Sequence, residues 1–296
     1  MNNSNLRDFD LKTLKKKSKK MINIPNILTS MNMLCGSLSI FFCLLGKVDW
    51  GIYAIMLGIV FDFLDGFVAR LLQQTNPLGK QLDSLADMVT FGLAPGVLMM
   101  VMIVVLTFPS QINSTIEPDA AAHIRFELNN WYSALCYNVP TDFDASIKYL
   151  PFCALIIPFF SIFRLAKFNI DEKQRLGFIG LPTPLNTFFF LFFPLYFLEN
   201  YANWNNQEKW INAYLFDIYF ISGLCFLMSL LLISNLRLMA LKFETFKISE
   251  NKLKFGFIIV SIIIIILFKV WAIPLIVFLY LSLSIIYNFI NKKNEV

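Results

Sequence analysis

Histidine occurs once in the 296 residues, as His123. A catalytic mechanism built on histidine therefore has little to work with. Cysteine is sparse as well: Cys35, Cys43, Cys136, Cys153 and Cys225 are scattered, mostly through apolar runs. No spacing among them suggests a zinc site or a disulfide framework. Charged residues make up only 15% of the chain, and no segment has the composition of a second, soluble domain. The basic stretch KTLKKKSKK near the N-terminus lacks a small-residue cleavage site after the apolar segment that follows it. It is expected to precede a retained membrane anchor rather than to belong to a signal peptide.

What is abundant is apolar surface. Hydrophobic residues reach 57%, phenylalanine alone occurs 32 times, and the mean hydropathy is +0.63. A soluble core of this length has no use for so much, so the expected class is an all-α polytopic membrane helix bundle. With about 20 apolar residues needed per crossing, eight spans are expected, at 26–46, 50–73, 80–108, 149–167, 184–200, 214–234, 256–270 and 272–290. The last two form one apolar run with Pro274 as the expected turn or kink; six or seven spans are the alternatives. Lysine and arginine orient the chain. Twenty of the 25 fall in the N-terminus, the 70–80 turn, the 164–175 and 236–255 loops and the C-terminus, which makes that side, with both termini, cytoplasmic. Three regions are expected: a basic segment 1–22, a core 23–234 of about six helices, and 235–296 with a basic loop and two more helices. Segment 109–148 carries Glu117, Asp119, Glu127, Asp142 and Asp144. It is expected outside, as an ordered loop or an amphipathic stretch on the outer interface.

Against this background, four aspartates stand out: Asp62, Asp65, Asp83 and Asp87. A carboxylate in hydrocarbon costs about 2.5–3.5 kcal/mol even on insertion scales. Asp62 and Asp65 are spaced i,i+3 and Asp83 and Asp87 i,i+4, so each pair faces one way on its helix. Between them QQTNPLG reads as a turn joining antiparallel neighbours, so that the pairs meet in one shallow cytoplasmic cavity. Converging hard oxygen donors suit Mg²⁺ or Mn²⁺, two ions rather than one. Interhelix salt bridging or a proton relay is the competing reading, but Arg70 and Lys80 are the only cations nearby in sequence, too few to pair four acids. An ion-coupled transporter also remains open, because intramembrane acids mark ion pathways. Gly66 and Ala69 leave space for a ligand against the helix, or serve ordinary helix packing. Arg70 offers a planar fork for phosphate or a snorkelling anchor. Gly79 shapes the turn, and Asn76 within it offers a weak phosphate donor.

The arrangement Asp62-x-x-Asp65-Gly66-x-x-Ala69-Arg70, eight residues, Gly79-x-x-x-Asp83-x-x-x-Asp87 resembles the signature of the CDP-alcohol phosphotransferase family, complete in every fixed position. That resemblance implies a metal-dependent transfer from CDP-diacylglycerol to an alcohol, with CMP leaving. It implies two divalent cations, Mg²⁺ or Mn²⁺, with Asp62, Asp65 and Asp83 as ligands and Asp87 as both ligand and general base. Pro25, Asn26 and Thr29 in IPNILT are similar to a family segment near the nucleotide; without the resemblance Asn26 reads as a helix cap. FRLAKFN (163–169) and GLPTP (180–184) look like the serine-using, bacterial membrane-integral branch. This implies L-serine as acceptor, with Arg164, Lys167 and Asn169 at its site, glycerol 3-phosphate or another alcohol being the alternative. GLPTP itself reads as a structural break before the fifth span. The expected partners are these two substrates, the lipid bilayer and a second copy in a homodimer. No nucleic-acid partner is expected.

Overall fold

The computed structural model describes residues 23–73, 77–107, 119–137, 147–170, 178–203, 213–238 and 251–294. The basic N-terminal stretch, Asn76 and the basic 239–250 loop lie outside the described residues. The chain is an all-α polytopic membrane protein, its strands limited to one two-residue antiparallel pair among the described residues.

Helix α1 (Ile24–Leu44) is capped by Asn23, whose side chain accepts the Asn26 N–H at 2.9 Å. The cap is thus three residues earlier than expected, and Asn26 is buried instead. Pro25 fits the first turn because no helical donor is needed there. Gly46, with φ +75, ends the α1 connection, and α2 (Val48–Leu71) folds back tightly on α1. The buried stripe of α1 is polar at roughly helical spacing: Asn26, Thr29, Asn32 and Ser39.

The third helix is continuous from Pro77 to Thr107 but not uniform. It comprises α3 (Pro77–Asp87), a wide π turn (Met88–Leu93) and α4 (Ala94–Thr107). α4 is apolar on every face and buried almost throughout, the pattern of a central helix. A 3₁₀ stretch (Ile147–Leu155) leads into α6 (Ile156–Ile170), which packs its Pro158 on Gly96 of α4. A Cβ on Gly96 would stand 2.7 Å from Pro158 Cδ.

The described part of segment 109–148 contributes more than a loop. α5 (Ala120–Tyr137) buries His123, Ile124, Glu127, Leu128, Trp131 and Ala134. The Trp131 Nε1–H donates to Lys148 O at 2.8 Å. The His123 ring lies 5.8 Å from Tyr201 and 6.4 Å from Phe197. His123 is therefore enclosed by the bundle.

Beyond α6, β1 (Phe178–Ile179) pairs with β2 (Arg237–Leu238). Gly180 follows with φ +80, and a Cβ there would meet Leu232 O at 2.5 Å. GLPTP is thus the structural break expected. α7 (Thr183–Phe190) and α8 (Phe192–Asn200) run on through backbone hydrogen bonds at Leu191, and α9 (Ile218–Ile233) follows. α10 (Lys252–Phe268) and α11 (Ala272–Asn294) make a hairpin: the Phe257 and Tyr280 rings meet at a tilt, with centroids 5.9 Å apart. A straight helix would hold those residues about 34 Å apart at 1.5 Å per residue. The break falls at Lys269–Trp271, where Lys269 takes φ +48. Pro274 sits inside the first turn of α11, where proline is tolerated, so it is not the turn expected from sequence. Each expected span overlaps helical residues, but 214–234 is interrupted at Phe216 and Asp217, the latter capping α9. Among the described residues, five apolar stretches have the length and composition to cross a membrane when 253–287 is counted as one.

Candidate active site

α3 lies against α1 rather than directly along α2. The acids of α2 and α3 therefore converge across the polar stripe of α1. One carboxylate oxygen from each of Asp62, Asp83 and Asp87 lies within 4.8 Å of the other two. Asp65 stands outside that trio: it is 5% exposed, and its carboxylate takes the Thr29 hydroxyl. Asp62, Asp65 and Asp83 line one cavity of about 710 Å³ with Pro25, Asn26, Thr29, Gly66, Ala69, Pro77, Gly79 and Lys80. A Cβ added to Gly66 meets nothing within 4 Å, so the helix leaves open space beside Asp65.

This donor set fits a hard divalent cation. The oxygens are all carboxylate, and Asp87 Oδ1 is buried without a hydrogen-bond partner. A buried carboxylate oxygen left bare is costly unless a cation approaches it. Nor are the nearby cations turned to the acids by their described bonds. Exposed Arg70 donates from Nε to Gly66 O at 2.9 Å, within its own helix. Lys80 donates from Nζ to Asn169 O at 2.9 Å and sits 5.9 Å from the Phe168 ring centroid.

The other expected site residues divide. Asn26, Thr29, Gly66, Ala69 and Gly79 line the cavity. Gly79 does so from within the first turns of α3, with helical backbone; among the described residues of the connection, Gln73 takes a left-handed φ of +52. Asn169 joins α6 to α3: its Nδ2 donates to Ser84 Oγ at 2.7 Å. Arg164 and Lys167, both expected at the acceptor site, separate. Arg164 is 4% exposed and donates from Nε to Leu181 O at 3.1 Å, whereas exposed Lys167 reaches Asn235 Oδ1 at 3.2 Å. Asn76 lies outside the described residues. Lys80 joins the cavity lining as a residue the motif does not include. Its place one turn before Asp83 was the available signal, because i,i+3 neighbours share a helix face.

The chain is thus an α-helical membrane bundle with an acid-lined cavity at the ends of three helices. Residues 22–121 match the family model described as CDP-alcohol phosphatidyltransferase. The chain is 32% identical over 161 residues to the CDP-diacylglycerol–serine O-phosphatidyltransferase of Bacillus subtilis (strain 168), a match covering 54% of this chain and 69% of that protein. It belongs to the CDP-alcohol phosphatidyltransferase family. Methanocaldococcus jannaschii has a protein of the same name that is 29% identical over 219 residues, 74% of this chain and 75% of the relative. The archaetidylserine synthase of Methanothermobacter thermautotrophicus is 36% identical over 85 residues, 28% of this chain and 36% of the relative.

Proposed function

We propose that this chain transfers the phosphatidyl group of CDP-diacylglycerol to L-serine, forming phosphatidylserine and releasing CMP. The observation that carries the proposal is the convergence of Asp62, Asp83 and Asp87 oxygens within 4.8 Å at the edge of the cavity. The names of the relatives favour serine over glycerol 3-phosphate as acceptor.

In this reading Asp62, Asp65, Asp83 and Asp87 hold two divalent cations, Mg²⁺ or Mn²⁺. Bound there, the ions would neutralise the donor diphosphate and the charge that grows on departing CMP. Asn26, Thr29, Gly66 and Ala69 form the wall for the CDP moiety, with Arg70 at its exposed rim. Asp87 accepts the proton of the serine hydroxyl. The serine oxygen bonds to the phosphorus on the diacylglycerol side, the P–O–P bridge breaks, and CMP leaves with the bonding pair. Lys80 lines the cavity and is bonded to Asn169 of α6, itself bridged to Ser84, and in this reading the acceptor enters on that side. Arg164 supports that side through Leu181 rather than by reaching into the cavity. The acyl chains stay in lipid between helices.

We place the enzyme in the cell (inner) membrane as a homodimer, crossing eight times with both termini and the site cytoplasmic. The lysine and arginine distribution supports that orientation. The test is CMP release by purified protein given CDP-diacylglycerol and a panel of alcohols, with and without Mg²⁺ or Mn²⁺. Serine-dependent, metal-dependent release is expected. Turnover with glycerol 3-phosphate but not serine would overturn the acceptor. Ion flux in proteoliposomes with no CMP release from any CDP-lipid would overturn the enzyme and favour a transporter.

A further inference from the structure

The helix that carries Asp83 and Asp87 changes pitch immediately after Asp87. From Met88 to Leu93 it is a π turn, and the Ala94 N–H reaches back to Val89 O. Such turns insert one residue into the helix and are frequent at functional sites. One residue is about 100° of rotation at 3.6 residues per turn. The insertion lets α3 turn its acids to Asp62 while the same helix seats Gly92 on Ser161 and Gly96 on Pro158 of α6.

A π turn in a bilayer must satisfy its own carbonyls, since no water reaches them. Phe91 is fully buried, and its carbonyl would in a regular helix accept from residue 95. That residue is Pro95, which has no N–H. Thr187 on α7 places its hydroxyl oxygen 2.9 Å from Phe91 O and 3.0 Å from Thr183 O. Thr183 O is served by the regular helix of α7, so the hydroxyl proton is most useful at Phe91. On the opposite side, Thr90 donates from Oγ1 to Asn32 O of α1 at 2.9 Å. The approach is close. A Cβ on Gly36 would meet Thr90 Oγ1 at 2.5 Å, and one on Gly58 would meet Thr90 Cγ2 at 2.7 Å. The turn is thus wedged between α1 and α2 and bonded to α1 and α7.

We infer that Thr90 and Thr187 are positioning residues: by clamping the π turn they fix the direction in which Asp87, the residue just before it, presents its carboxylate to Asp62 and Asp83. Neither threonine touches substrate. The inference rests on the proposed metal-dependent transfer, and deepens it.

The test uses full-length protein in detergent, with Mn²⁺ binding read by electron paramagnetic resonance without substrate, and CMP release read separately. Thr187→Val, which keeps the shape and removes the donor, is expected to weaken Mn²⁺ binding and lower kcat about tenfold each, roughly the factor carried by one hydrogen bond. KM for serine and for CDP-diacylglycerol should change less than threefold, and Thr187→Ser should restore both readouts. Pro95→Ala returns an N–H to the helix. In that background Thr187→Val should cost markedly less than it does alone, a coupling that double-mutant comparison isolates. This second comparison also covers the case in which Thr187→Val alone does not survive extraction. Unchanged Mn²⁺ binding and kcat in Thr187→Val, failure of serine to rescue, or full additivity with Pro95→Ala would each overturn the inference. A wild type that binds no Mn²⁺ and releases no CMP would instead bring down the function, and this inference with it.

Discussion

Gly66→Ala separates space the fold needs from space the ligand needs. Gly66 lies in α2 next to Asp65, on the wall of the cavity, and a Cβ built there meets no atom within 4 Å. The folded protein therefore has room for the methyl group. Alanine in a helix interior is favoured over glycine by roughly 0.5–1 kcal/mol, so the variant should unfold at the same temperature or slightly higher. If the donor nucleotide lies against this helix, the methyl intrudes on it instead. Overpacking a fitted site costs about 1–3 kcal/mol, which is about 5- to 150-fold in affinity at 1.4 kcal/mol per decade. The assay is a pair: thermal unfolding in detergent, and KM for CDP-diacylglycerol from CMP release at saturating serine. A rise in KM with no loss of melting temperature is expected. A lower melting temperature would show the space is not open, and an unchanged KM would show the nucleotide does not use it.

Asp87→Asn should retain donor binding better than turnover, since the amide keeps the shape but takes no proton; equal loss of CDP-diacylglycerol binding and kcat would count against its role as base. Thr29→Val removes the hydroxyl that Asp65 accepts and leaves a buried carboxylate short of a partner, a loss of about 1–3 kcal/mol. It should lower both melting temperature and Mn²⁺ affinity, and unchanged values of both would refute it. Gly180→Ala meets a backbone φ of +80 and a Cβ contact of 2.5 Å to Leu232 O. Left-handed backbone alone costs an alanine about 1–2 kcal/mol, so the melting temperature should fall while KM in the surviving enzyme stays put.

The helices and the acid cluster were legible because both follow from short-range rules. Long apolar runs must be helical in lipid, and i,i+3 and i,i+4 spacing places Asp62 with Asp65 and Asp83 with Asp87 on common faces. What sequence could not give was set by contacts distant in the chain. Asp65 is drawn aside by Thr29, 36 residues away. Arg164 and Lys167 share a helix face in principle, yet Leu181 draws one inward while Asn235 takes the other. The hairpin break at Lys269–Trp271 has no proline or glycine within it to announce it, and the nearby Pro274 drew attention to the wrong turn. The burial of His123 and Glu127 depends on α5 docking beside the α1–α2 connection, where a Cβ on Gly46 would stand 3.0 Å from the Arg125 backbone. The π turn after Asp87 left only an indirect trace, the proline at position 95.

The most direct measurement of the central claim is Mn²⁺ binding to the purified, substrate-free protein, compared with Asp62→Asn and Asp83→Asn. Two ions per chain with a spin-coupled signal are expected, lost or reduced to one weakly held ion in either variant. No binding, or binding that neither substitution alters, would contradict a metal centre built from these carboxylates.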